Sequence, residues 1–432
     1  MAAFSIIWVG QVVSLLGTAM GQFALTLWAY GVTGRATPLA LIGFFFVTPM
    51  VVLGPFVGTL VDRSNRRLMM MLSDLAAALN TALILILYAT GSLQIWHLYV
   101  TATVAGVFQG FQWPAYSAAI TLMLPKRHYG RANSLLDMGG AASGVFAPLL
   151  AGALIGPIGL VGILIADLAS AAVAIATLLF AHIPRPPRAE AGRAGMGSFL
   201  KETAYGFRYI VARPSLLGLQ TVFMVGNFLH TLGRSVSAPM ILGRSGNNEL
   251  VFGSVQSAGA IGGVAGGLVM VAWGGPKRRV HGVLLSWLGA GLLGQTTLGL
   301  GQTLPVWIVG IFLWAFFAPI ISGSNQAIWQ AKVAPDVQGR VFATRRLIAW
   351  LVTPIGQLLA GPLADRVLEP AMARGGSLAG SLGWLVGTGS GAGIGLLHVL
   401  TGLLIALAGA GAYLFPAIRD AEDRLPDHAA VA

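Results

Sequence analysis

The sequence contains no cysteine among its 432 residues, which excludes disulfides, thiol nucleophiles and thiolate metal sites. Charge is nearly as scarce. Only 9% of the residues are charged, against roughly 25% in a soluble globule, too few to cover a water-facing surface. Basic residues outnumber acidic ones by 26 to 14, for a net charge of +12. That excess does not indicate nucleic acid, because the Lys and Arg residues sit in short turns between apolar runs, where they orient helices in a bilayer. No Gly-rich loop ending in Lys-Ser/Thr is present, so ATP hydrolysis has no site. No His, Asp and Glu cluster has metal-ligand spacing, and no Ser/His/Asp arrangement on the apolar runs suggests a nucleophile. Neither an enzyme nor a cofactor is expected. A cleavable leader is not evident either, since the first apolar run, Phe4 to about Tyr30, is too long for one and lacks a basic flank.

Hydrophobicity is what the chain has in quantity. Apolar residues make up 56% of it, and the mean hydropathy is +0.78. A hydrocarbon core needs about 20 apolar residues per helix. Twelve such runs occur, at 4–32, 38–61, 68–91, 96–123, 132–156, 158–182, 214–242, 249–273, 280–302, 305–331, 341–365 and 392–416. The expected fold class is an all-α polytopic membrane protein with twelve transmembrane helices. Two long breaks, 183–213 and 366–391, interrupt the pattern. The first opens with Ile183-Pro184-Arg185-Pro186-Pro187-Arg188, extended by its prolines. It then places Phe199, Leu200, Phe207, Ile210 and Val211 on one helical face, which predicts a helix lying on the membrane surface. The expected organisation is a first half over 1–182, a cytoplasmic linker over 183–213, a second half over 214–416 and a cytoplasmic tail over 417–432.

Orientation follows from the basic residues. With the N-terminus inside, twenty-one of the 26 Lys and Arg residues fall in inside turns, so both termini are expected to be cytoplasmic. An internal repeat is visible at a single ungapped offset of 209 residues. It pairs Gln11 with Gln220, Gly34-Arg35 with Gly243-Arg244, Gly54 and Gly58 with Gly263 and Gly267, Gly130-Arg131 with Gly339-Arg340, and Leu149 to Gly152 with Leu358 to Gly361. Two six-helix halves related by a parallel repeat follow. In transporters built this way the substrate site lies between the halves near the midplane.

Several residues carry candidate chemistry. The turn after the second run holds Gly54, Gly58, Asp62, Arg63, Arg66 and Arg67. The glycines admit a neighbouring helix closely. Asp62 is placed to cap a facing helix N-terminus, so the turn is either a conformational latch or a topology anchor with solvated charges. Asp167 lies mid-span, where a carboxylate costs about 2.5–3.5 kcal/mol unless paired, hydrogen-bonded or protonated. It is a proton or substrate site, or a packing hydrogen bond. Asp74 and Asp137 sit within about two turns of the inner face, at a coupling site or in a structural charge network. His230 and Arg234 share a helix face at i, i+4 and are a further candidate coupling element, unless Arg234 snorkels to the interface. Amides and aromatics inside the spans are candidate cavity lining: Gln11, Gln22, Gln109, Gln112, Trp113, Gln220, Asn227, Asn325, Gln326 and Trp329.

The motif Gly54-x3-Gly58-x3-Asp62-Arg63-x2-Arg66-Arg67 resembles the signature between helices 2 and 3 of the major facilitator superfamily. Ala147-Pro148-Leu149-Leu150-Ala151-Gly152 resembles that superfamily's antiporter motif, with Ala147 and Ala151 where Gly is usual. Leu124-Pro125-Lys126-Arg127 with Arg131-Ala132-Asn133, its counterpart Val333-Ala334-Pro335 with Gly339-Arg340-Val341, Gly361-Pro362-Leu363-Ala364-Asp365-Arg366 through Glu369-Pro370, and the tail Ile418-Arg419-x2-Glu422-Asp423 resemble the macrolide-efflux and enterobactin-exporter branch. The resemblance implies a major facilitator fold in which helices 1, 4, 7 and 10 surround the cavity. It also implies a secondary active exporter of drug-like or natural-product solutes, working by proton antiport in the bacterial inner membrane. The expected partners are a small-molecule substrate, protons and the lipid bilayer, with no nucleic acid and a monomeric unit. The chain departs from the drug-exporter pattern in having no charged residue in 96–123 and Ala77 where an Arg often follows the helix 3 acid. A uniporter or a flippase of lipid-like molecules is the alternative within transport, and a non-transporting receptor or an intramembrane enzyme is the alternative outside it.

Overall fold

In a computed structural model the described residues are 2–63, 66–123, 129–180, 199–334 and 337–426. All regular structure among them is helical. A bilayer offers the backbone no partners, so each span closes its hydrogen bonds within itself. The first five helices are α1 (Ala2–Thr33), α2 (Ala36–Arg63), α3 (Arg66–Ala89), α4 (Ile95–Met123) and α5 (Tyr129–Phe180). At about 1.5 Å per residue α5 is far too long for one traverse. It turns at Gly159, whose φ of 64° lies in the left-handed region that a side chain disfavours, and so supplies two spans. The sequence places that break two residues earlier, at Pro157. Ten helices are long and apolar enough to cross a membrane among the described residues, with Met138–Phe180 counted once. The second traverse of α5 and the 29-residue α4 complete the twelve.

The linker prolines lie outside the described residues. The amphipathic stretch forms α6 (Phe199–Val211). Ile210 anchors it, 1% exposed, among Leu216, Trp329, Val333 and Val341, while Phe207 and Val211 remain exposed. The helices that follow are α7 (Pro214–Arg234), α8 (Ser237–Ser245), α9 (Glu249–Trp273), α10 (Arg279–Gly289), α11 (Thr297–Leu300), α12 (Leu304–Lys332) and α13 (Gln338–Pro362). After them come α14 (Glu369–Met372), α15 (Ala379–Val386), α16 (Ala392–Gly411), α17 (Pro416–Arg419) and α18 (Ala421–Arg424). Two π-helical turns, Ala290–Thr296 and Leu363–Leu368, interrupt the α-geometry. Such turns are uncommon and often mark functional positions.

The chain forms two compact units. The first comprises Met1–Gly34, Leu41–Met196 and Asn248–Ser257, and the second comprises Arg35–Ala40, Gly197–Asn247 and Ala258–Ala432. At one end of the first unit, Phe4, Ile7, Met70, Tyr116 and Leu178 pack together. The second is built around Leu219, Val283, Leu284, Trp287 and Ile405.

The tail is folded onto the second unit. Ile418 packs against Gly218, and the Glu422 carboxylate accepts the Val280 N–H (2.9 Å) in the first turn of α10. Lys332 Nζ donates to the Glu422 and Leu425 carbonyls (2.5 and 2.6 Å). The exposed Arg278–Asp423 pair (2.8 Å) adds little, as surface pairs do. Two hydrogen bonds from Arg419 hold the Asp420 carboxyl below its ordinary range. Glu422→Ala is therefore expected to lower stability by about 1 kcal/mol, the value of a helix-capping carboxylate. Asp423→Ala should leave it within a few tenths. Thermal unfolding of the two variants in detergent checks the order, and equal shifts would contradict it.

Candidate functional site

The first unit buries two carboxylates. Asp74 on α3 is 5% exposed and bridges two of the candidate lining amides: Gln11 Nε2 donates to Oδ2 (2.8 Å) and Gln112 Nε2 to Oδ1 (2.7 Å). Gln112 also donates to Gln11 Oε1 (3.0 Å), closing a ring across α1, α3 and α4. Asp167 on α5, also 5% exposed, accepts from Thr18 Oγ1 (2.9 Å) on α1 and Thr81 Oγ1 (2.7 Å) on α3. α1 can come this close because it presents glycine: a methyl on Gly21 would sit 3.3 Å from Asp167 Oδ2. Neither carboxylate has a cationic partner among the described residues. Each is held by neutral donors alone.

The antiporter-like stretch lies in the same unit. Ala147 and Ala151 are fully buried. A methyl on Gly253 of α9 would meet the Pro148 carbonyl at 2.5 Å, and one on Gly152 would meet the Glu249 carbonyl at 3.0 Å. Ser257 Oγ donates to the Val145 carbonyl (2.5 Å), and Phe23 stacks on Phe252 with centroids 5.0 Å apart. The start of α9 therefore seats on α5 through small residues, the usual means of close helix approach in lipid.

In the second unit His230 stacks on Trp314 of α12 (3.9 Å) and its Nδ1 lies 3.1 Å from Gln295 Oε1. Gln295 comes from the first π-helical turn, and its Nε2 donates to Thr401 Oγ1 (2.5 Å) on α16. His398 places Nδ1 on the Ile394 carbonyl (3.0 Å), leaving Nε2 buried and without a partner among the described residues. Gln220 is buried and donates to the Arg345 carbonyl (3.1 Å). Asn325 accepts from Trp329 Nε1 (3.0 Å), both being buried, and Gln326 accepts from Arg345 (2.9 Å). Asn227 is half-buried on α7, whereas Gln22 and Gln109 are exposed.

Two acids, at and just after the second π-helical turn, stand within a motif quoted from the sequence, which gave them no role. Asp365 accepts from the Ala36 and Thr37 amides (2.9 and 2.7 Å) and from Thr37 Oγ1 (2.5 Å), so it caps the start of α2. Gly361 permits this, since a methyl there would stand 2.4 Å from Thr37 Cα. One turn on, Glu369 accepts from the Gly391 and Ile394 amides (3.0 and 2.9 Å) and caps α16. Two acids four residues apart, followed by Pro370, were the available signal.

Of the charged turn, only the Arg67 side chain is described; it donates to the Leu179 carbonyl (2.6 Å). The side chains of Asp62, Arg63, Arg66, Trp113 and Asp137, and the surroundings of Gly54 and Gly58, lie outside what is described.

The family model for the Major Facilitator Superfamily matches residues 7–356. The chain belongs to the major facilitator superfamily. Members of this superfamily are transporters, not enzymes, and the chain is a multi-pass membrane transporter. Macrolide efflux protein A of Streptococcus pyogenes is 26% identical over 84% of this chain and 90% of its own length. The multidrug efflux pump Tap of Mycolicibacterium fortuitum is 27% identical over 77% of this chain and 82% of its own. Among solved structures, a bacterial homologue of the human lysosomal transporter Spinster shares the fold with a TM-score of 0.69, at 16% identity and 99% coverage of both chains.

Proposed function

We propose that this major facilitator protein is a secondary active exporter of drug-like or natural-product solutes. It works by proton antiport with alternating access, as a monomer in the bacterial plasma membrane with both termini cytoplasmic. The observation that carries the reading is the pair Asp74 and Asp167: buried carboxylates bound, among the described residues, only to neutral donors, which take or lose a proton without breaking an ion pair there. The names of the efflux relatives support the direction and the substrate class. The energetics permit it, because one proton moving down about 100 mV releases roughly 2.3 kcal/mol, which sustains a solute gradient of about 50-fold.

Purified protein in proteoliposomes, offered labelled macrolides and other amphipathic natural products with and without an imposed pH gradient, tests this reading. At least one solute is expected to accumulate only when the gradient is present. Equal flux in both conditions would replace antiport with facilitated diffusion, and no flux of any solute would remove the exporter reading.

A further inference from the structure

Within a candidate span of the second unit lies a cation with no counter-charge among the described residues. Arg234 is the last residue of the 21-residue α7 and lies within the candidate span Pro214–Ser245. It is accessible to solvent, yet protein atoms surround it as they do a core residue. Its guanidinium makes no hydrogen bond or ion pair among the described residues. The acids within the spans of this unit are committed elsewhere, Asp365 to the start of α2 and Glu369 to the start of α16. Arg244 makes the contrast plain, with its guanidinium on the carbonyls of Gly299, Gly301 and Val386. An accessible guanidinium without a partner among the described residues is free to take an anion. Snorkelling to the lipid interface would need the opposite face. His230, one turn earlier on the same side of α7, stacks on Trp314 and meets Gln295, so this side looks into the unit. Asn227 lies on that side too, and its amide makes no hydrogen bond among the described residues.

We propose that Arg234 recognises an acidic group, a carboxylate or its equivalent, on an otherwise apolar transported solute. The inference rests on the transport reading above and narrows its substrate class to organic anions. The guanidinium fork suits a carboxylate bidentately, and Asn227, two turns earlier on the same side of α7, offers an amide.

The test uses matched acid and amide pairs: naphthoate with naphthamide, deoxycholate with its amide, and fusidate with its amide. Binding to the purified protein in nanodiscs is read as ligand-dependent thermal stabilisation. At least one acid is expected to bind about tenfold or more tightly than its amide, the scale of a charge-assisted pair. Arg234→Gln should abolish that preference while leaving amide binding unchanged, and Arg234→Lys should restore part of it. Equal affinities within every pair, no binding of any acid, or an undiminished preference in Arg234→Gln overturns the proposal. Transport of the same compounds in proteoliposomes is scored separately. Acid-selective binding without gradient-driven flux would leave Arg234 as an anion site and remove the exporter reading instead.

Discussion

Asp365→Ala is expected to slow transport by about tenfold or more while leaving the protein folded and inserted. The carboxylate accepts three hydrogen bonds at the start of α2, two from backbone amides that have no partner within their own helix. A negative charge at this position also meets the positive end of the helix dipole. Hydrogen bonds to a charged group contribute about 1.5–3 kcal/mol each at most, and they are not additive, so roughly 2–4 kcal/mol for the clasp is a fair scale. A change of that size shifts a two-state equilibrium by about 30-fold or more, enough to depopulate any conformer in which the clasp is closed. Hydrogen exchange gives the direct reading. The Ala36 and Thr37 amides should both exchange faster in Asp365→Ala, and only one of them should stay protected in Asp365→Asn, because they bond different oxygens and asparagine keeps one acceptor. Unchanged exchange at these amides would show that the clasp does not hold α2 in solution, and unchanged transport would show that it plays no part in the cycle.

The reach of the sequence differs between levels of structure. Span count and fold were legible, because the hydrocarbon core imposes a length and an apolarity that any reader of hydropathy can measure. The break within 129–180 was legible to within two residues, and Gly159 supplies the turn. Polar residues within the spans were legible by type but not by partner. Gln11, Asp74 and Gln112 each stood out as a polar residue in an apolar run, and only the rotation of three helices about their axes brings them into one ring. Gln22 and Gln109 stood out for the same reason and are exposed. Composition cannot separate the two outcomes, because helix rotation is set by packing on both neighbours. Asp365 and Glu369 were quoted in a motif but assigned no role, for a different reason. They fall at the end of a span, where acids are ordinary, and what distinguishes them is that helix starts distant in sequence come to rest on them. Gln295 depends on a π-helical turn, which shifts the register of the side chains that follow and has no sequence pattern of its own.

Asp167→Asn should reduce gradient-driven transport by roughly an order of magnitude or more, whereas Asp74→Asn should reduce it far less. Both acids are equally buried and both lack cations among the described residues, so burial and charge do not separate them. Their donors do. Asp74 is held by two side-chain amide NH2 groups, which donate and cannot accept. A proton placed on Asp74 therefore opposes an N–H unless a glutamine turns over, and the turn would break the Gln11–Gln112 bond as well. Asp167 is held by two threonine hydroxyls. A hydroxyl donates to a carboxylate and accepts from a carboxylic acid after a rotation about one bond, so Asp167 is satisfied in either protonation state. A site that must load and release a proton once per cycle gains from such reversibility, because an unsatisfied buried polar group costs about 1–3 kcal/mol at each turnover. Asparagine at 167 keeps the volume and the hydrogen bonds, since its oxygen accepts from one threonine and its nitrogen donates to the other, so the thermal midpoint should move little. What it removes is the exchangeable proton. Proteoliposome transport with and without a pH gradient separates the outcomes. Wild-type dependence on the gradient in Asp167→Asn would exclude this carboxylate as the proton carrier, and its loss in Asp74→Asn alone would place the carrier in the amide ring instead.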